Sequence, residues 1–394
     1  MTADFLLALR DGELPHKIKW QTPPKEKDDH TYADKFRGSL LGLAVGDALG
    51  AHVEFRPHSY LQQNPVTGLA GGGTWSLEAG KWTDDTSMAL CLAVSLIVHG
   101  GFYAYDQLVR YKWWYKSGYL SSTGRCFDIG SATKTSLETF HQRQRALANK
   151  LNINSEEKID TLEEHVIVKE EFNTNCSYSG VAGNGALMRL APIPLFFWRS
   201  NTKATQFAAK SALLTHGDKK AADACRYYAL LICCAINGYS KEQLLNTHLH
   251  VDAWDAGWFG QERLHEEVIR VAEGSYQRSD GFEGGIKGKG YIISAMEAAL
   301  WAFWSDEDKF ENGVLRAINL GDDTDTTAAI YGQLAGACYG AKAIPRKWLD
   351  KLYAKDLITC LADWLKYKGS TSDSDGVKNQ QATFPKKSTL CSLL

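Results

Sequence analysis

Four glycines recur every fourth residue, Gly38, Gly42, Gly46 and Gly50, through the apolar stretch FRGSLLGLAVGDALGAHVEF. On a helix of about 3.6 residues per turn that spacing gathers them along one side. A side without side chains lets a second backbone, or a ligand, approach closer than any other residue allows. In a membrane such a stripe pairs helices. In a chain of ordinary soluble composition, 44% hydrophobic and 23% charged, it predicts a tightly packed helix in the core of a compact domain.

Further segments read as helices: the run after Asp85 with Met88, Leu92 and Leu96 in register, then ATQFAAKSALLTH, AADACRYYALLICCAING and GYIISAMEAALWAFW. Strand alternation is scarce, so the expected fold is all-α. Although 394 residues exceed the size at which most single cores stop growing, no convincing linker divides the chain. One domain is expected over residues 34–365, after an N-terminal extension (1–33) containing the polar connector TPPKEKDDH. The polar stretch from about 366 to 394 reads as a disordered tail. The acidic segment 151–176 reads as an insertion, a lid or a partner surface.

Lys plus Arg total 44 against 46 Asp plus Glu, which gives no general reason to bind nucleic acid or anionic lipid. The apolar start of the N-terminus is too short for a signal peptide or anchor. Nine cysteines without a CxxC pair argue against structural zinc and for a reducing, cytoplasmic setting. Oligomeric state is not readable.

Two stretches concentrate acid where helices begin: KWTDDTSMAL, with Thr83, Asp84 and Asp85, and NLGDDTDTTAAIYG, with Asp322, Asp323, Thr324, Asp325 and Thr326. Capping of free backbone N–H groups accounts comfortably for one acid per helix. It does not account for five. Clustered carboxylates near a core repel unless cations or donors compensate, and Mg²⁺ seeks about six oxygen ligands of this kind. The Asp-X-Asp spacing of Asp323 and Asp325 suits convergence on one ion or bridging of two. Calcium and manganese take similar ligands, but no EF-hand pattern occurs.

Taken in order, FRGSLLGLAVGDALGAHVEF, WTDDTSMAL, GNGALMRLAPIPLFF, LLTHG and NLGDDTDTTAAIYGQLAGACYG resemble the ADP-ribosylglycohydrolase family, over about Asp34 to Ile344. The resemblance implies a compact all-α fold with a two-magnesium centre, in which Mn²⁺ can replace Mg²⁺. It implies hydrolysis of the bond between C1″ of ADP-ribose and an acceptor on a protein or smaller conjugate. The GNGALMRLAPIPLFF segment resembles arginine-directed members most. By motif position, the implied metal ligands are Thr83, Asp84, Asp85, Asp323, Asp325 and Thr326. Asp322 is not counted among them, and Asp47 looks structural. Asp85, Asp323 and Glu54 are implied to assist the attacking water. Gly183, Asn184 and Gly185 line the diphosphate and ribose, His216 contacts ligand, and Tyr178, in the loop Cys176–Gly180, offers a stacking face.

Each residue outside the acid clusters has a plainer reading. Glu54 could be an ordinary salt-bridged acid, His216 a helix-end histidine, and Asn184 a turn residue. The cluster YKWWYKSGYL reads as core packing in a chain with 12 tryptophans. Serine-linked or small-molecule ADP-ribose conjugates are alternative substrates. A crystallin-like structural member of the fold would have lost metal ligands, whereas all are present here.

Overall fold

The computed structural model describes residues 14–24 and 30–371. Its glycine-bearing helix, His30–Gly50, packs antiparallel against a second buried helix, Thr324–Tyr339. The two backbones touch through the stripe. A Cβ on Gly42 would lie 2.3 Å from the carbonyl oxygen of Gly332, and one on Gly332 would lie 2.1 Å from that of Gly42. No side chain fits there, so the spacing fixes both partner and register. Gly50 meets Thr324 and Asp325 at the far end of the pair, which delivers the second acid cluster to the C-terminal end of the first helix.

Around this pair stand Lys219–Ile236, buried on every side from Ala221 onward, and the helices Asp84–His99, Ile292–Ser305, Phe310–Ile318 and Lys355–Thr371. A helix buried all round needs apolar residues or internally paired charges, and AADACRYYALLICCAI supplies apolar or aromatic residues everywhere except Asp223 and Arg226, which pair with each other at 2.7 Å. Among the described residues the only strand-like pairings are two isolated bridges, Gly72 with Leu77 and Gly183 with Tyr291. The fold is all-α. No described helix is long and apolar enough to cross a membrane.

Two expectations change. The last helix runs on to Thr371, past the boundary read at 365, because Leu361, Trp364 and Leu365 bury one face and carry the helix with them; residues 372–394 lie outside the described residues. Part of the N-terminal extension belongs to the domain. Ile18 joins the core, and the Gln21 carbonyl accepts from Trp364 Nε1 at 2.6 Å.

Segment 151–176, expected as an insertion, a lid or a partner surface, packs against the domain. It forms the short helices Glu156–Asp160 and Glu164–Lys169. Asp160 is buried against Lys112, Trp113 Nε1 (2.7 Å) and Gln144 Nε2 (2.8 Å). Tyr103 and Tyr105 donate to the carbonyls of Leu162 and Ile159 at 2.8 and 2.7 Å. Gln144 lies some 20 Å along the helix Ser131–Lys150 from its first residue.

Candidate metal centre

Three helix ends converge. Asp47 comes from the last turn of the glycine helix, Thr83, Asp84 and Asp85 from the head of Asp84–His99, and Asp323, Asp325 and Thr326 from the head of Thr324–Tyr339. Neither N-cap residue caps its own helix: Thr83 and Asp323 occupy those positions without a side-chain capping bond, and in the second helix only Asp325 Oδ1 accepts a first-turn amide, that of Thr326 at 2.9 Å. The cap of the Asp84 helix comes from Asp47 instead. Its Oδ1 accepts from the Thr83 amide (2.8 Å) and hydroxyl (3.0 Å), and its Oδ2 from the Thr86 amide (3.0 Å) and hydroxyl (2.6 Å). Asp85 is thereby released from capping.

The Thr83 hydroxyl has one proton to give, yet it lies 3.0 Å from Asp47 Oδ1, 3.0 Å from Asp85 Oδ2 and 3.3 Å from Asp325 Oδ2. Asp85 Oδ1 and Asp128 Oδ2 are buried with no hydrogen-bond partner among the described residues. Oxygens of Asp47, Asp85 and Asp325 all fall within 4.8 Å of one another, as do those of Glu54, Asp128 and Asp325. Asp325 is common to both groups. With its lone pairs already engaged by Thr83 and Thr86, Asp47 is better suited to orient the first group than to bind in it.

Burial, then the neighbouring carboxylates, push Asp84, Asp85 and Asp325 well above the usual carboxylate range. Asp323 is also raised by burial, while its Oδ2 accepts from Asn184 Nδ2 at 2.7 Å. Burial lifts Asp47 to about 6 and Asp128 to about 7. Glu54, buried beside Asp128, rises to about 10, although Trp75 Nε1 donates to its Oε2 at 2.8 Å. Among the described residues no cationic side chain enters either group. Oxygen-only donors, unpaired lone pairs and uncompensated negative charge fit a hard divalent cation, and either group could coordinate one such as Mg²⁺.

Glu54 reaches the centre through backbone stitching. The Phe55 amide donates to the Asp322 carbonyl, and the Asp322 amide to the Arg56 carbonyl, both at 2.8 Å. The Asp322 side chain points away, to Lys289 at 3.8 Å. Thr324 is spent on the Gly50 carbonyl, 3.0 Å away, and the Thr326 hydroxyl stands 3.5 Å from Asp85 Oδ2. Asp84 and Asp323, expected as ligands, are not among the acids whose oxygens gather in these two groups; the Asp323 Oδ2 accepts from Asn184.

Sequence reasoning missed Asp128. It sits in STGRCFDIG with a left-handed backbone, φ 60°, on a loop anchored by the Ser122 hydroxyl to the Trp82 carbonyl (2.6 Å), just before the Asp84 helix. A lone aspartate in a glycine-flanked loop offers no spacing signal.

The glycine loop lies beside these acids. Asn184 donates its amide to the Gly290 carbonyl at 2.9 Å, so Gly183–Gly185 pair with a second glycine-rich segment, Gly288–Tyr291. His216 is buried beneath this loop, where a Cβ on Gly185 would lie 2.9 Å from its Cε1. Tyr178 is 69% exposed, with its backbone seated on Gly217 next to that histidine.

Fold and site together define a helical protein with a buried carboxylate centre, suited to a hard cation, beside a glycine loop. The family model for ADP-ribosylglycohydrolase matches residues 28–374, and the chain belongs to that family. It is similar to the ADP-ribosylarginine hydrolase Tri1 of Serratia proteamaculans, with 35% identity covering 92% of this chain and 87% of the relative. The Pseudomonas putida protein of the same name is 34% identical over 84% of this chain and 78% of its own length. A solved ADP-ribosylglycohydrolase-related protein complex superposes with a TM-score of 0.66 at 36% identity, covering 86% of this chain and 99% of that one. The protein is therefore an enzyme, a glycohydrolase.

Proposed function

We propose that this enzyme removes ADP-ribose from arginine side chains of proteins, by divalent-cation-dependent hydrolysis of the N-glycosidic bond at C1″. The carrying observation is the single Thr83 hydroxyl set among three carboxylates, a centre that needs positive charge from outside the chain. The arginine linkage is supported by similarity to two relatives named ADP-ribosylarginine hydrolase.

Thr83, Asp85 and Asp325 would hold one Mg²⁺ and Glu54, Asp128 and Asp325 a second, with Thr326, Asp84 and Asp323 at their edge; Mn²⁺ has the same donor preferences. Bound there, the cations supply Lewis-acid polarisation of sugar hydroxyls and water. The chain's own residues do the rest. Glu54, with Oε2 fixed by Trp75 and its carboxyl returned to the charged form where bound cations offset the burial and neighbouring acids that raise it, takes a proton from water through its other oxygen. The water oxygen bonds to C1″ as the C1″–N bond breaks through an oxocarbenium-like state. The bonding pair leaves on the guanidine nitrogen, which takes up the proton that Glu54 received and departs as the arginine guanidinium. Asn184 holds Asp323 beside the reacting sugar, and backbone N–H groups of the Gly183–Gly185 loop suit the diphosphate.

Release of free ADP-ribose from arginine- and serine-ADP-ribosylated protein, each with Mg²⁺ and with EDTA, tests the reading. Magnesium-dependent release from the arginine conjugate is expected. Release from the serine conjugate alone would reassign the linkage, and release from neither would remove the proposal.

A further inference from the structure

Arg189, at the end of the glycine-loop motif, is fully buried, and among the described residues no carboxylate pairs with it. Its Nη2 lies 2.6 Å from the Thr215 hydroxyl, its Nη1 3.9 Å from the Met88 sulfur, and its Cζ 4.7 Å above the Tyr111 ring. An isolated cation is costly to bury, so its retention asks for a reason.

Hydrogen-bond direction supplies one. A guanidinium only donates, so Thr215 Oγ1 accepts from Arg189. Thr215 is buried too, and its one hydroxyl proton has a single acceptor in reach, His216 Nδ1 at 2.9 Å. Were the imidazole proton on Nδ1, the Thr215 oxygen would face two donors and its own proton would have no acceptor in the core. The Thr215 proton therefore goes to Nδ1, and the imidazole carries its own on Nε2. Burial, with the Arg189 charge beside it, lowers His216 to about 3 and keeps the ring neutral. Nε2 has no hydrogen-bond partner among the described residues, and it faces backbone that glycine alone leaves open: a Cβ on Gly185 would lie 3.1 Å from it and one on Gly183 3.4 Å.

We infer that Arg189 and Thr215 form a one-way relay that fixes His216 as the Nε2–H tautomer, a hydrogen-bond donor directed at an acceptor oxygen of ADP-ribose held by the glycine loop. Arg189 and Thr215 are positioning residues, acting through His216. The ligand half of this inference rests on the function proposed above; the tautomer half does not.

The test is ¹⁵N NMR of the histidine-labelled full chain without ligand at neutral pH, with His216 assigned by the signals lost in His216→Gln. A bare Nδ1 and a protonated Nε2 are expected. Thr215→Val keeps the shape and loses the hydroxyl; it should release the tautomer preference and raise KM about five- to tenfold, the worth of one hydrogen bond, with kcat within about twofold. Thr215→Ser should restore both. A protonated Nδ1 in the wild type, or an unchanged tautomer in Thr215→Val, overturns the relay. A moved tautomer with unchanged KM overturns the ligand contact. An inactive wild type with the expected tautomer would reject the proposed function and leave the relay standing. If Thr215→Val does not fold, the wild-type spectrum alone decides the relay.

Discussion

Two regions of the molecule bury carboxylates and treat them in opposite ways. On the helix Ala104–Ser117, Lys112 meets Asp160 and the Gln144 side-chain oxygen (2.8 Å), while Asp160 also accepts from Trp113 and Gln144. Nearby, Asp106 accepts from Arg110 Nε at 2.7 Å and pairs with His99 at 3.3 Å. Burial alone would raise Asp106, yet Arg110 and His99 hold it below the usual carboxylate range. At the metal centre, burial acts on Glu54, Asp84, Asp85, Asp128 and Asp325 with no cation in opposition, and every one is raised. Charge balanced by the chain is architecture. Charge left unbalanced by the described residues is suited to bind a cation from outside.

The contrast can be broken from either side. Lys112→Met strips a buried carboxylate of its cation and should cost about 3–5 kcal/mol in urea unfolding, while activity per folded molecule and the stabilisation by Mg²⁺ stay as they were. Asp325→Asn should do the reverse. Removing one of several crowded negative charges should raise the stability of the EDTA-treated protein by at least about 1 kcal/mol, and hydrolysis should fall roughly a hundredfold or more as metal assistance is lost. A less stable metal-free Asp325→Asn protein would count against the contrast.

Gly42→Ala tests how the acids are brought together. Its Cβ would meet the Gly332 carbonyl oxygen at 2.3 Å, so the helices must part, at about 1–3 kcal/mol. Activity should fall by more than the loss of folded protein explains, since Asp47 and Asp325 ride on opposite helices. A further effect is in pH. Asp47 and Asp128 titrate near 6 and 7 when folded, above about 3.9 for an unfolded aspartate. The unfolded chain therefore releases protons first, and stability in EDTA should fall as pH rises from about 4 to 7, by up to about 1.4 kcal/mol per unit for each group. Thermal unfolding with and without Mg²⁺ would read this as a stabilisation that grows with pH.

Much of this was legible in order along the chain. The glycine stripe announces a close helix pair because a helix repeats over so few residues, and the acid clusters stand out because capping cannot use so many carboxylates. Asp128 was not legible, since its place depends on a left-handed turn and a loop tied to Trp82. Nor was the role of Asp47, whose capping partners belong to another helix. The fixed seat of segment 151–176 depends on Asp160 meeting Lys112, a pairing no local pattern encodes.

The central claim is that the unbalanced acids are a divalent-cation site. Calorimetric titration of Mg²⁺ into metal-stripped protein at neutral pH, in two buffers of different ionisation enthalpy, tests it directly. Saturable binding with net proton release is expected, retained in Lys112→Met and lost or greatly weakened in Asp325→Asn. No binding, or equal binding in Asp325→Asn, would contradict it.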